Sequence, residues 1–147
     1  MNRPDIDTYY SLMSLLAATR GTCPRRQVGC VLVDRNNRVL SIGYNGTPPG
    51  MPHCTDEPCA GAECPSGEGL DKCEATHAEQ SALIACRDIH SIHTAYVTTS
   101  PCIHCIKLLL QTACKRIVFN QDYPHADVSR KLWEKAGRSW HHFEMDI

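Results

Sequence analysis

Apolar residues recur along the chain at two alternating spacings, and the alternation outlines the fold. Ile6, Tyr9, Met13 and Leu16 stand three or four residues apart, so residues 5–19 are predicted to form an amphipathic helix with these positions on its apolar face. Gly21 and Pro24 end it. Val28 to Val33 is a short apolar run of strand type, followed by the turn residues Asp34, Asn36 and Asn37. A second strand, Arg38 to Tyr44, completes a hairpin. Residues 45–76 are rich in Gly, Pro and Cys and have no periodicity; a loop of this length needs a reason, such as function or a metal clip. Helical spacing returns from Thr76 or His77 to about His90, with Ala82, Leu83 and Cys86 on the apolar face. Thr94 to Thr98 reads as a third strand, and Pro101 opens the next helix, 102–113, at the favoured first-turn position. Arg116 to Phe119 is a fourth strand, expected parallel to the third across that helix. Asp127 to Lys135 is helical and stops at Gly137, and Ser139 to Met145 is read as an edge strand. Without repeats, low-complexity tracts or a second domain, residues 1–147 are expected to form a single α/β domain of three layers around a mixed sheet, with a Cys-rich insert at about 47–75.

Composition narrows the function classes. The 147 residues are 42% hydrophobic and 21% charged, ordinary for a globular chain, and 15 Lys and Arg against 16 Asp and Glu leave a formal net charge of -1. A protein that grips phosphodiester backbone carries a basic excess, so no nucleic-acid partner is expected, while a small anion needs only a few local donors. No apolar run approaches the roughly 20 residues of a membrane helix. The opening MNRPDIDTYY lacks an apolar secretory core, so no membrane partner and a cytoplasmic location are expected, host cytoplasm if the source is viral. Ten cysteines change the picture. In a reducing compartment, clustered Cys and His are more often metal ligands than disulfides.

Two short stretches carry chemistry: His77-Ala78-Glu79 and Pro101-Cys102-Ile103-His104-Cys105. H-x-E followed by P-C-x-x-C is the established signature of zinc deaminases. One imidazole (His77) and two thiolates (Cys102, Cys105) give three ligands and leave the fourth tetrahedral position to water. Zinc lowers the pKa of that water from about 15.7 toward roughly 7. Both ligand sets fall at predicted helix starts, where the positive dipole end favours thiolate. Glu79 projects differently around the helix, so it is not a ligand and can shuttle protons between the water, a ring nitrogen and the leaving ammonia. A lone C-x-x-C would read as a zinc knuckle or as buried thiols; the upstream H-x-E, the helix–strand–helix arrangement and Pro101 favour a catalytic site. His104 is read as a bystander facing away from the metal, and Cys30, Cys86 and Cys114 as core residues.

With these residues in view, the chain resembles the deoxycytidylate (dCMP) deaminases of the cytidine deaminase superfamily over roughly residues 6–138. The resemblance rests on Thr22-Cys23-Pro24-Arg25, Val28-Gly29, Gly43-Tyr44-Asn45-Gly46, His53-Cys54, Thr76-His77-Ala78-Glu79, Tyr96-Val97-Thr98, Pro101-Cys102-Ile103-His104-Cys105 and Asp122-Tyr123. It implies a three-layer α/β/α cytidine-deaminase-like fold with a central mixed five-stranded sheet. It also implies that Asn45 hydrogen-bonds the sugar hydroxyl, that Ala78 lies against the substrate, and that Tyr123 contacts the nucleotide and restricts substitution at C5. Arg25 and Arg26 would hold the 5′-phosphate; for each the alternative is a solvated surface charge. Gly43, Tyr44, Asn45 and Gly46 would belong to an effector site, where glycines suit close approach of a ligand and equally suit a turn.

Cys23, Cys54, Cys59, Cys64 and Cys73 all lie in or beside the two aperiodic loops. The resemblance implies a structural zinc held by Cys23 and Cys54, with Cys59 and Cys73 as the best completion, Cys64 as an alternative and His53 as a weaker one. The competing reading is a set of free thiols in a mobile loop, exposed to oxidation. The expected function is zinc-dependent hydrolysis of dCMP to dUMP and ammonia, feeding thymidylate synthesis, in a homohexamer activated by dCTP and inhibited by dTTP, with Mg2+ accompanying a bound triphosphate. Alternatives are a superfamily deaminase acting on another nucleotide (including dCTP), nucleoside or base, and a non-catalytic zinc scaffold. A scaffold would have no use for Glu79.

Overall fold

Every strand of the central sheet is bounded by a residue or turn that the sequence supplies, and the burial pattern decides which face each side chain takes. A computed structural model describes residues 2–69 and 72–145. The elements run α1 (Ile6–Ala18), β1 (Gly29–Asp34), β2 (Val39–Tyr44), α2 (Ala78–Ala85), β3 (Ile92–Thr99), α3 (Ile103–Leu110), β4 (Arg116–Gln121), α4 (Ala126–Lys135) and β5 (Ser139–His142). The sheet order is β2-β1-β3-β4-β5. β1 is antiparallel to both β2 and β3, whereas β3–β4 and β4–β5 are parallel, so the sheet is mixed as expected. The two parallel steps each cross over a helix, α3 and then α4.

Alternation along the strands sorts the core into two halves. On one face Val31, Val33, Tyr96 and Val118 meet Tyr10 and Met13 of α1. On the other, Leu32, Val97, Ile117 and Phe119 meet Ala82, Ile106, Leu109 and Trp133 from α2, α3 and α4. One helix below and three above make the α/β/α layering. Among the described residues no helix is long and apolar enough to cross a membrane.

The expected apolar face of α1 is corrected. Ile6, Tyr9 and Leu16 are exposed, and the residues turned to the sheet are Tyr10, Ser11, Ser14 and Ala18. Two serines can line this face because the Ser14 hydroxyl donates to the Ser11 carbonyl at 2.7 Å, which removes the cost of burying it. Small side chains then let the helix descend until the Ser14 carbonyl lies over Gly29, where an added Cβ would come within 1.9 Å of it.

Element ends differ from the expectation in physically readable ways. α2 stops at Ala85, not near His90, because Cys86 is extended and the Asp88 carboxylate takes the His90 N–H and the Ser91 hydroxyl, a local alternative to helix. α3 opens with Cys102 as its N-cap, so Pro101 precedes the cap and does not occupy the first turn, and the helix ends at Leu110. β5 ends at His142 instead of Met145. Cys30 and Cys114 are fully buried, whereas Cys86 only packs against the core's edge.

One polar cluster ties α1 to the middle of the sheet. Arg116 of β4 grips Asp7 with two bonds, Nη1 to Oδ1 at 3.0 Å and Nη2 to Oδ2 at 2.6 Å, and the Tyr96 hydroxyl donates to Oδ1 at 2.8 Å. Burial alone would raise the Asp7 carboxyl, but Arg116 and Tyr96 outweigh it and hold it below its usual range. A lowered folded pKa gives stability that is complete above the ordinary carboxylate range near pH 4 and fades as pH falls through the depressed value. Asp7→Asn is therefore expected to lower stability at pH 7 by about 1–2 kcal/mol, as suits a charge-assisted pair still partly open to water. In urea melts the gap from the unaltered chain should narrow below about pH 4; a gap independent of pH would dismiss the electrostatic origin.

Candidate active site

The site forms where two helix starts converge beside the carboxyl end of β3. His77 is the N-cap of α2, and its N–H donates to the Gln80 side chain at 2.9 Å. Cys102 is the N-cap of α3, delivered there by Ser100 and Pro101 immediately after β3, and Cys105 lies in the helix's first turn. Both placements follow the sequence expectation.

Close packing sets the position of α2. At Gly43 of β2 an added Cβ would lie 2.4 Å from the Ala78 carbonyl oxygen and 2.5 Å from the Ala82 nitrogen. The Ser41 hydroxyl donates to the Ala82 carbonyl at 2.6 Å. Gly43 thus serves helix–strand contact, and its bare backbone is covered by α2. Gly46 instead faces Thr22, and Tyr44 stands half-exposed with the Arg20 guanidinium 5.5 Å from its ring centre.

Three donor atoms meet as a consequence. His77 Nδ1 lies 3.5 Å from Cys102 Sγ and 3.3 Å from Cys105 Sγ, and all three lie within 4.8 Å of one another. A tetrahedral zinc with Zn–S of about 2.3 Å and Zn–N of about 2.0–2.1 Å separates sulfur from nitrogen by about 3.5 Å. The residues fit the ion, with Nδ1 as the histidine donor. The hydrogen bond from Cys105, reinforced by His77, draws the Cys102 thiol down to about 4, while Cys105 is pushed up by sharing its proton with that thiolate. The pair gives one proton readily and keeps the other until a dication claims both sulfurs. His104 is exposed and turned away.

Glu79 is the buried carboxyl of the site, 4% exposed, and burial pushes it up to about 7 against the opposing pull of His77. It borders a cleft of about 70 Å³ that opens to solvent. The cleft brings together His77, Glu79 and Cys102 with the expected Asn45, Ala78 and Tyr123, and also Arg25 and Arg26. Asn45 is buried, with Oδ1 accepting from the Val28 N–H at 2.8 Å and Nδ2 donating to the Arg26 carbonyl at 2.7 Å, so it also shapes the segment that presents Arg26. The Tyr123 N–H donates to the Ser100 hydroxyl at 2.7 Å, and the Arg26 guanidinium stacks 4.9 Å from the Tyr123 ring centre. Arg26 Nη1 is buried without a hydrogen-bond partner, and burial lowers the group's pKa. A buried cationic donor left unpaired is costly unless an anion meets it. Arg25, by contrast, has its Nη1 on backbone carbonyls of the insert.

Sequence reasoning missed Ser66, Gly67, Thr99 and Ser100 as lining residues. For the first two a signal existed, since Pro65-Ser66-Gly67 is a turn-forming run inside the insert. The second cysteine group lies nearby. Cys54 lies near Cys59, and Cys59 near Cys73, while Cys23 and Cys73 line the cleft together with Arg25. Cys64 Sγ lies against Gly69, where an added Cβ would be 2.5 Å away, and His53 is exposed. Among the described residues only His77, Cys102 and Cys105 bring three donor atoms within 4.8 Å, so the four thiols are more widely spaced.

Comparison with known proteins places this geometry in company. A family model described as the cytidine and deoxycytidylate deaminase zinc-binding region matches residues 4–121. The deoxycytidylate deaminase of Saccharomyces cerevisiae is 37% identical over 137 residues, covering 92% of this chain and 44% of the yeast protein. The Schizosaccharomyces pombe deoxycytidylate deaminase is 39% identical with 43% of its length covered, so the chain spans less than half the length of these two relatives. The deoxycytidylate deaminase of Mycobacterium phage D29 is 36% identical over 128 residues, 83% of this chain and 99% of the phage protein. Among solved structures, the dCMP deaminase of cyanophage S-TIM5 in complex with dCMP and dUMP superimposes with a TM-score of 0.76 at 25% identity, over 97% of this chain and 100% of that one.

Gly43→Ala tests whether the α2 contact sets the donor geometry. The added methyl must push α2 off β2, which should cost about 1–3 kcal/mol as overpacking does. Zinc should also be lost to a chelator faster than from the unaltered chain, although every ligand is intact. Unchanged melting together with unchanged zinc retention would show that the donor triangle does not depend on this contact.

Proposed function

Because the chain belongs to the cytidine and deoxycytidylate deaminase family, we propose that it catalyses the hydrolytic deamination of dCMP to dUMP and ammonia. The observation that carries this reading is a buried, non-ligating carboxyl, Glu79, beside the His77, Cys102 and Cys105 donors, in a cleft where Arg26 Nη1 is buried without a partner. A metal scaffold needs neither group.

His77, Cys102 and Cys105 would hold the zinc. When bound, the metal acidifies a water and presents it as the nucleophile. Glu79 takes a proton from the attacking water, protonates ring N3, and passes a proton to the departing amine nitrogen, so water is consumed and ammonia leaves. A carboxyl whose burial brings it to about 7 can both accept and give a proton near neutrality. Ala78 and Tyr123 would flank the nucleotide, Tyr123 restricting C5, and Asn45 would meet the sugar hydroxyl. Arg26 would take the 5′-phosphate on its unpaired Nη1.

The reading extends to a second, structural zinc on Cys23, Cys54, Cys59 and Cys73. Its support is the donor chemistry: Cys54 lies near Cys59 and Cys59 near Cys73, and Cys23 and Cys73 line the cleft beside Arg25. It also includes a homohexamer, activated by dCTP and inhibited by dTTP with Mg2+ on the triphosphate, and a cytoplasmic location, since phosphorylated nucleosides do not cross lipid freely. The exposed apolar residues of α1 (Ile6, Tyr9, Leu15, Leu16) and of the edge strand β2 (Ile42, Tyr44) offer surface for subunit contacts.

Ammonia release from dCMP, with dCTP and cytidine assayed alongside, tests the substrate. Glu79→Gln should keep near-normal catalytic zinc and lose at least about 100-fold in rate; a rate close to that of the unaltered chain would remove Glu79 from the mechanism. Elemental analysis should find close to two zinc per chain, and Cys54→Ala should lower the melting temperature while leaving the catalytic ligands in place. One zinc per chain with normal melting of Cys54→Ala would dismiss the second centre.

A further inference from the structure

The two adjacent arginines are engaged in different ways. Arg25 Nη1 lies 2.7 Å from the Glu68 carbonyl oxygen, 3.0 Å from that of Pro65 and 3.3 Å from that of Cys64. That nitrogen carries two hydrogens, so both are spent on the insert. Cys23 and Cys73 line the same cleft as Arg25. Arg26 presents the opposite case, with a buried Nη1 that has no partner.

What Arg25 grips is a wall of the cleft. The Glu68 N–H donates to the Pro65 carbonyl at 3.0 Å, and Gly67, the third residue of that turn, has a φ of +84°. A positive φ at this position is the mark of a type II turn and favours glycine. The turn lies flat on the loop after β4: a Cβ on Gly67 would sit 3.0 Å from Pro124 Cβ and 3.7 Å from Tyr123 Cε1. Ser66 and Gly67 line the cleft together with Arg25, which holds their flanking carbonyls.

We infer that Arg25 is a positioning residue that latches the Pro65–Glu68 turn of the insert onto the Tyr123–Pro124 loop and so closes one side of the substrate cleft, leaving the phosphate to Arg26. The inference rests on the proposed substrate only for its kinetic consequence. Three carbonyl dipoles are directed at Arg25 Nη1, and a phosphate could take that nitrogen only by dismantling the contact with the turn.

Three variants, Arg25→Gln, Gly67→Ala and Arg26→Gln, separate latch from ligand. The readouts are hydrogen exchange of the backbone amides within 64–69 (Pro65 has none), KM and kcat for dCMP, and competitive inhibition by inorganic phosphate, which probes the anion subsite alone. With a latch, Arg25→Gln speeds exchange at 64–69 and raises KM by about tenfold with a smaller change in kcat. Inhibition by phosphate stays within about twofold. Gly67→Ala, which attacks the same turn from its other side, should reproduce that pattern, whereas Arg26→Gln should abolish phosphate inhibition and leave exchange at 64–69 unchanged. Loss of phosphate inhibition in Arg25→Gln with native exchange at 64–69 would overturn the inference, as would native exchange and native KM together. If the unaltered chain fails to turn over dCMP, the proposed substrate falls, and exchange at 64–69 in Arg25→Gln and Gly67→Ala still decides the latch.

Discussion

The contact of α2 with the bare backbone of Gly43 is the constraint on which the rest of the site hangs. Neither Ala78 nor Ala82 could lie so close to β2 over any side chain larger than hydrogen. That approach fixes the start of α2, hence the direction of His77 and the depth of Glu79. On the opposite face of the same hairpin, Gly29 lets the Ser14 carbonyl of α1 settle onto β1. The hairpin is thus pinned between two helices by two missing side chains, one on each side, and Cys30 pairs directly with Gly43 across the strands. A rigid hairpin then gives β3 a fixed neighbour, and β3 carries Cys102 to its place beside His77.

Electrostatics complete what packing begins. Two helix starts direct their unpaired N–H groups toward the same small volume, which favours negative charge on the sulfurs at Cys102 and Cys105. Glu79, in the first turn of α2, has the same help, but burial outweighs it and pushes the carboxyl toward its neutral form. One fold region therefore holds a readily ionised thiol, Cys102, and a carboxyl that burial pushes toward its neutral form. This separation is the usual basis for dividing ligand and proton-transfer roles among acidic groups.

Much of this was legible in the chain. His77, Glu79, Cys102 and Cys105 are tied to local spacing and to helix starts, and local rules locate such residues well. The strand order of the hairpin and of the β3–α3–β4 crossover followed for the same reason. The α1 face was misread because Ser11 and Ser14 look polar in sequence, whereas Ser14 bonds within its own helix and the face needs smallness more than apolarity. The difference between Arg25 and Arg26 was not legible at all. It depends on carbonyls some 40 positions away, at Cys64, Pro65 and Glu68, and nothing in a run of two arginines says which will be satisfied by backbone. The insert resisted reading for a related reason: its order comes from long-range contacts with Arg25 and Pro124 and owes little to any period of its own.

The ends of that insert are joined by an antiparallel bridge between Gly46 and Thr76, with reciprocal backbone bonds of 3.1 and 2.7 Å. For the fold, the segment between them is a closed loop, and the entropy of closing a loop grows only with the logarithm of its length, about 0.6 kcal/mol for each doubling. The sheet is therefore nearly indifferent to how many residues the loop contains. Insertions and deletions there that leave Cys54, Cys59 and Cys73 in place would change the wall, and with it what the cleft admits, at little cost to the hairpin or to His77, Cys102 and Cys105. Evolution can vary the length of this segment almost independently of the catalytic framework, which makes the stretch between Gly46 and Thr76 the place where substrate range can drift while the chemistry stays fixed.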